Sequence, residues 1–122
     1  MLVLSVTLIL LQGNAQAVTY VDVLDLPGRP SVLAVHSPLL DTAYAGQRLV
    51  AVGQRGHILY SDDTGQQWTQ ASVPVSADLN AVVFPTPEQG WAVGNDGVVL
   101  HSSDAGKTWI KQLDGRQIGA VL

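Results

Sequence analysis

The sequence predicts an all-β chain of two tandem four-stranded antiparallel units, followed by the opening strand of a third. Three observations predict it: an internal repeat with a period of 41 residues, short apolar and β-branched runs punctuated by Gly and Pro, and little room for a helix between them. The repeat is the strongest. Aligned without a gap, residues 50–69 and 91–110 share nine of twenty positions: Ala51/Ala92, Val52/Val93, Gly53/Gly94, Gly56/Gly97, Leu59/Leu100, Ser61/Ser102, Asp63/Asp104, Gly65/Gly106 and Trp68/Trp109. Unrelated segments share one or two. A period of this size falls within the blade lengths of β-propellers, in which each repeat contributes one small antiparallel sheet.

Each unit reads as strand, turn, strand, turn, strand, and then a fourth strand. In the second unit "LNAVVF" (79–84) is apolar and β-branched and is closed by Pro85, Pro87 and Gly90. "WAVG" (91–94) and "VVLHS" (98–102) flank "NDG", whose glycine suits a tight turn that needs positive φ. "TWIKQL" (108–113) supplies the fourth strand, with Ile110 breaking strict alternation. The first unit repeats this order with "VLAVHS", "LVAVG", "HILYS" and "WTQASV", and its first loop, "PLLDTAYAGQR", is longer than the counterpart "PTPEQG". The tail "IGAVL" (118–122) matches "LNAVV" (79–83), with Ala120 in the place of Ala81 and of Ala34. Repeat 1 therefore spans about 30–75, repeat 2 about 76–116, and residues 117–122 begin a third. Two blades and a strand do not close a propeller, which takes about four to eight blades. The expectation is the N-terminal piece of a longer protein, or closure by oligomerisation.

The N-terminus carries a different signal. "MLVLSVTLILL" is an apolar run of 11 residues, followed by "QGNAQA" with the small-x-small triplet Ala15-Gln16-Ala17. Residues 1–17 read as a signal peptide cleaved before Val18, which implies export to a periplasmic or extracellular space. The run is too short for a membrane span, which needs about 20 apolar residues. The mature chain, 18–122, is then the partial propeller, without a transmembrane segment.

Composition excludes several functions. Hydrophobic residues make up 47% and charged residues 13%, which argues for a folded chain. Net charge is −4, and the six basic residues, Arg29, Arg48, Arg55, Lys107, Lys111 and Arg116, form no stripe along which a nucleic acid backbone would lie. The absence of cysteine excludes disulfides, thiolate metal sites and cysteine nucleophiles.

The most repeated text is "SDDTGQQW" (61–68) and "SSDAGKTW" (102–109). Each shared residue has a backbone task available. A short Asp or Ser side chain in a turn accepts hydrogen bonds from main-chain N–H groups a few residues on, glycine permits a left-handed φ, and the tryptophan is large enough to wedge between sheets. The pattern Ser-x-Asp-x-Gly-x-x-Trp resembles the Asp-box of the BNR-type repeats of sialidases and related propellers. The fuller form with Thr before Trp is present as Thr108 and replaced by Gln67 in the first copy. The resemblance implies a structural role, away from any catalytic centre, for Ser61, Asp63, Gly65 and Trp68 and for Ser102, Asp104, Gly106 and Trp109. The longer stretch "LNAVVFPTPEQGWAVGNDGVVLHSSDAGKTW" resembles the photosystem II stability/assembly factor family, and the likeness covers about residues 30–122. It implies a non-enzymatic lumenal or periplasmic propeller without cofactors, which binds protein and helps assemble or stabilise a membrane-associated complex. Similar sequences occur in bacteria without photosynthesis.

Rival chemistries are weaker. Ser61, Asp62 and Asp63 offer oxygen ligands, but calcium takes six to eight and the second copy has Ser103 in place of Asp62. Gly106-Lys107-Thr108 resembles the tail of a phosphate-binding loop, yet His101 stands where that loop needs its first glycine. His36, His57 and His101 do not align with one another and lack the partners of a zinc or triad motif. The alternative function is a sialidase-like or other glycosyl hydrolase whose two carboxylates lie in further blades, since Glu88 sits in a loop between strands. Trp91, which replaces Val50, is expected to pack in its half-buried strand.

Overall fold

The computed structural model describes residues 20–117 and places them in two successive four-stranded antiparallel sheets. The first sheet consists of β1 (Leu39–Ala45), β2 (Arg48–Gly53), β3 (Ile58–Ser61) and β4 (Thr69–Gln70), and the second of β5 (Leu79–Val83), β6 (Gly90–Gly94), β7 (Val99–Ser102) and β8 (Ile110–Leu113). In each, the strands lie side by side in chain order. This is the up-and-down arrangement of a propeller blade, and the chain is an all-β pair of such blades. The expected leader, residues 1–17, and the expected third-unit strand "IGAVL" (118–122) lie outside the described residues.

The blades share their turn chemistry. Between β2 and β3 the chain reverses through Gln54-Arg55-Gly56, with Arg55 at φ 58° and Gly56 at φ 71°. Between β6 and β7, Asp96 and Gly97 take φ 60° and 70°. Gly56 has no alternative: a Cβ there would lie 2.0 Å from the Val75 carbonyl oxygen. Both first strands carry a register shift at the same place, between Leu39 and Asp41 and between Leu79 and Ala81.

The connector from β4 to β5 alternates in burial, with Ala71, Val73, Val75 and Ala77 inside. It crosses from the outer strand of one blade to the inner strand of the next and stitches them together. Ser72 N–H donates to the Lys107 carbonyl at 3.1 Å, and Trp109 N–H donates to the Ser72 carbonyl at 3.0 Å. The main core lies between the blades, where Val50, Val52 and Ile58 of the first meet Leu79, Val82, Ala92, Leu100 and Trp109 of the second.

The opening of the first unit differs from the sequence reading. "VLAVHS" is not a strand: Ala34–His36 form a single 3₁₀ turn, and Val32 and Val35 are exposed. The first strand instead runs through the stretch read as a long loop. Its loop is a two-residue turn at Gly46-Gln47, with Ala45 paired to Arg48 and Gly46 at φ 63°, as a primed hairpin turn requires. Ala34 is accordingly not the counterpart of Ala81. Asp41 is, because Asp41 faces Val52 as Ala81 faces Val93. The fourth strand of the first unit is also shorter than "WTQASV", since only Thr69–Gln70 pair with β3 and the residues beyond join the connector.

Candidate functional site

The two Asp-box loops close on themselves in the same way. In the first, Ser61 Oγ accepts from Gly65 N–H at 2.8 Å and its hydroxyl donates to Asp63 Oδ1 at 2.7 Å. Asp63 Oδ1 accepts from the N–H groups of Gln66 and Gln67 at 3.1 and 2.9 Å. In the second, Gly106 N–H donates to Ser102 Oγ at 2.9 Å, Ser102 donates to Asp104 Oδ1 at 2.9 Å, and Thr108 donates to Asp104 through both N–H (2.9 Å) and hydroxyl (2.6 Å). Gly65 and Gly106 both take φ 89°. These bonds hold Asp63 below the usual carboxylate range, chiefly through Gln67 N–H and Ser61. Burial pushes Asp104 up, but the hydroxyl and N–H of Thr108 with Ser102 outweigh it and leave its carboxyl low as well. The box carboxylates thus hold their bonds inside the loop.

Asp62, which the second copy lacks, is not free either. Its carboxylate takes Arg48 in a fork, Nε to Oδ1 at 2.7 Å and Nη2 to Oδ2 at 3.0 Å. Arg48 lies over the Tyr60 ring at 4.6 Å and donates through Nη1 to the Ala105 carbonyl of the second box at 3.2 Å. An apparent ligand is therefore a positioning group between blades. Nearby, the segment 22–25 is held to the second blade by ion pairs: Arg116 bridges Asp25 (2.9 Å) and Asp114 (2.7 Å), and Lys111 reaches Asp114 at 3.0 Å. Arg116 and then Lys111 keep the buried Asp114 carboxyl well below the usual range.

The concave feature with unspent polar chemistry lies elsewhere. A groove of about 820 Å³ opens between residues 23–38 and the β2–β3 turn. Arg29, His36, Arg55 and His57 line it, together with apolar Leu26 and Pro38, and no carboxylate does. Among the described residues neither arginine side chain has a hydrogen bond or ion pair, and Nδ1 of His57, a residue only 5% exposed, has no partner. Burial, then the charge of Arg55, pushes the His57 imidazole down from its ordinary pKa, which favours the neutral ring. A volume of this size suits a ligand or peptide segment held by a few convergent polar groups.

This groove is not visible in the sequence, where the arginines are scattered and the histidines do not align with one another. The 3₁₀ turn brings His36 to the same wall as His57. A signal was available in the repeat itself: the second unit has Asp96 where the first has Arg55, at the same left-handed turn position.

The chain matches, over residues 25–120, the model of a family described as photosynthesis system II assembly factor YCF48. The chain belongs to the YCF48 family. Two solved structures are similar to it: YCF48 bound to D1 peptide, at 26% identity and a TM-score of 0.57 over 64% of this chain, and YCF48 from Cyanidioschyzon merolae, at 26% identity and 0.56 over 63%. The match spans 27% of each of those chains. No curated protein matches the chain.

Proposed function

We propose that the chain is a non-catalytic, protein-binding part of an exported YCF48-type propeller, and that it receives a partner segment in the Arg29–Arg55 groove. The groove carries this reading: it is a peptide-sized concavity lined by two arginines without carboxylate partners, on a chain whose net charge is −4. Family membership and the likeness to YCF48 bound to D1 peptide support a protein partner belonging to a membrane-associated assembly. Export rests on the apolar leader and the Ala15-Gln16-Ala17 triplet. The eight Asp-box residues are structural on this reading, because Ser61 and Asp63, like Ser102 and Asp104, spend their side-chain hydrogen bonds on closing their own loops.

Fluorescence anisotropy with a labelled D1 peptide tests it. Binding is expected to weaken as salt rises, and to fall at least about tenfold when Arg29→Gln and Arg55→Asn remove two charge-assisted contacts, each worth roughly 1.5–3 kcal/mol. Asn is chosen because it tolerates the left-handed backbone at position 55. No binding, or binding indifferent to both substitutions, overturns the assignment.

A further inference from the structure

His57 stands where the repeat keeps an apolar residue. Its counterpart is Val98, which follows the equivalent turn of the second blade and is 1% exposed, and His57 itself is 5% exposed. Valine therefore satisfies the packing at this position, and the first unit departs from it at a cost. A buried polar atom without a hydrogen-bond partner is destabilising, and Nδ1 of His57 is such an atom. Arg55, two residues earlier, departs from the repeat as well, since Asp96 stands in its place. Both departures line the same groove.

The two ring nitrogens of His57 meet different surroundings. Nδ1 is sealed among protein atoms that give it no partner. Placing the proton there buries a donor that nothing receives, and adding a second proton buries charge as well. The tautomer with its proton on Nε2 avoids both and leaves only an unpaired acceptor inside. Burial, then the charge of Arg55, keeps the ring neutral. The polar atom that His57 has left for an occupant of the groove is thus Nε2, as an N–H donor. The backbone holds the residue in place: His57 N–H donates to the Gln54 carbonyl at 3.0 Å, and its own carbonyl accepts from Gly53 N–H at 2.9 Å.

The chemistry around this nitrogen selects the occupant. Arg29 and Arg55 add donors without partners among the described residues, whereas the serine hydroxyls of the walls are spent, Ser37 on the Leu33 carbonyl at 3.2 Å and Ser76 on the Leu26 and Pro27 carbonyls at 2.8 and 2.9 Å. Carboxylates of the flanking elements are engaged elsewhere: Asp78 accepts from Arg55 N–H at 3.0 Å, and Asp25 takes Arg116 at 2.9 Å. A group that only accepts answers such a set, and in a peptide that group is a carboxylate.

We propose that His57 is a specificity-determining donor of the groove, whose neutral Nε2–H fixes a carboxylate of the partner segment alongside Arg29 and Arg55. This rests on the reading of the groove as the partner site and adds the group that the site selects. Two arginines attract anions of many shapes. A buried ring held by its backbone gives that attraction a direction, which long exposed side chains do not.

Nitrogen NMR of the whole chain reads the ring directly. Long-range proton–nitrogen spectra at neutral pH are expected to show His57 as the Nε2–H tautomer. Sodium acetate, added at constant ionic strength, is expected to move the His57 Nε2 resonance and to leave His101, which rests on Trp91 in the second blade, in place. A proton on Nδ1, a charged ring, or an Nε2 indifferent to acetate overturns the proposal. His57→Val then introduces the residue that the repeat already accommodates. It is expected to leave stability in urea undiminished and to weaken the labelled D1 peptide at least about tenfold. The same peptide with its carboxyl groups converted to methyl esters is expected to bind wild type and variant with equal weakness. A variant that binds as tightly as wild type, or an ester that binds as tightly as the acid, also defeats the assignment. Acetate moving Nε2 while the D1 peptide binds nowhere supports the carboxylate site and removes D1 as its partner.

Discussion

The two Asp-boxes are built alike and lodged differently. Within each loop the Ser, Asp and Gly bonds are the same to within a few tenths of an ångström. The second box is pressed against the first blade: a Cβ on Gly106 would lie 3.2 Å from a Val50 methyl, Ala105 accepts from Arg48, and Trp109 N–H donates to the Ser72 carbonyl of the connector at 3.0 Å, while the buried Trp109 ring rests edge-on against Phe84 of its own blade. Among the described residues no sheet packs on the first box as the first blade packs on the second, and Trp68 is only half-buried. Loop geometry is thus local, whereas what a box contributes to stability depends on whether a neighbouring sheet receives it.

The sharpest way to break this comparison is to truncate the two tryptophans. Trp109→Ala is expected to cost about 3–5 kcal/mol by leaving a cavity between blades, and Trp68→Ala less than half of that. Urea unfolding followed by circular dichroism measures both, and equal losses would mean that docking does not separate the boxes. Gly106→Ala and Gly65→Ala come next. Each forces a side chain into left-handed backbone at roughly 1–2 kcal/mol, and Gly106→Ala is expected to lose more because Val50 and Phe84, 3.2 and 3.3 Å from the added carbon, must give way.

The smallest effect probes the part the boxes share. Asp63 and Asp104 bind protons less tightly folded than unfolded, so they add stability above the ordinary carboxylate value of 3.8, and it is lost as pH falls through their lowered folded values. Asp63→Asn and Asp104→Asn should each make the acid limb of the unfolding curve shallower, and by similar amounts. A change at one position alone would show that the blade interface, rather than the loop, sets the carboxyl's environment.

Much of this architecture was legible in the residues. The 41-residue period located both boxes, the middle strands and the positive-φ turns, because turn chemistry is encoded locally in Gly, Asp and Ser. The first strand was misread because apolar content in "VLAVHS" outweighed the quieter evidence of a Gly46 turn following "LLDTAYA". Trp91 was expected to pack, as its register partner Val50 does, but it stands open on the outer face of the second blade. The groove was illegible for a different reason. Arg29, His36, Arg55 and His57 share no spacing, and they meet only because residues 23–38 fold back over the β2–β3 turn.

By itself the sequence determined an all-β repeat, its period and its self-bonded loops, since a β-strand, a tight turn and an Asp-box each depend on residues within a few positions of one another. Tertiary structure alone decided which equivalent surfaces are buried and which are open. Burial is a property of what lies across a gap of about 10 Å between sheets, and Val52 and Val93, identical in the repeat, differ only in having a neighbour there.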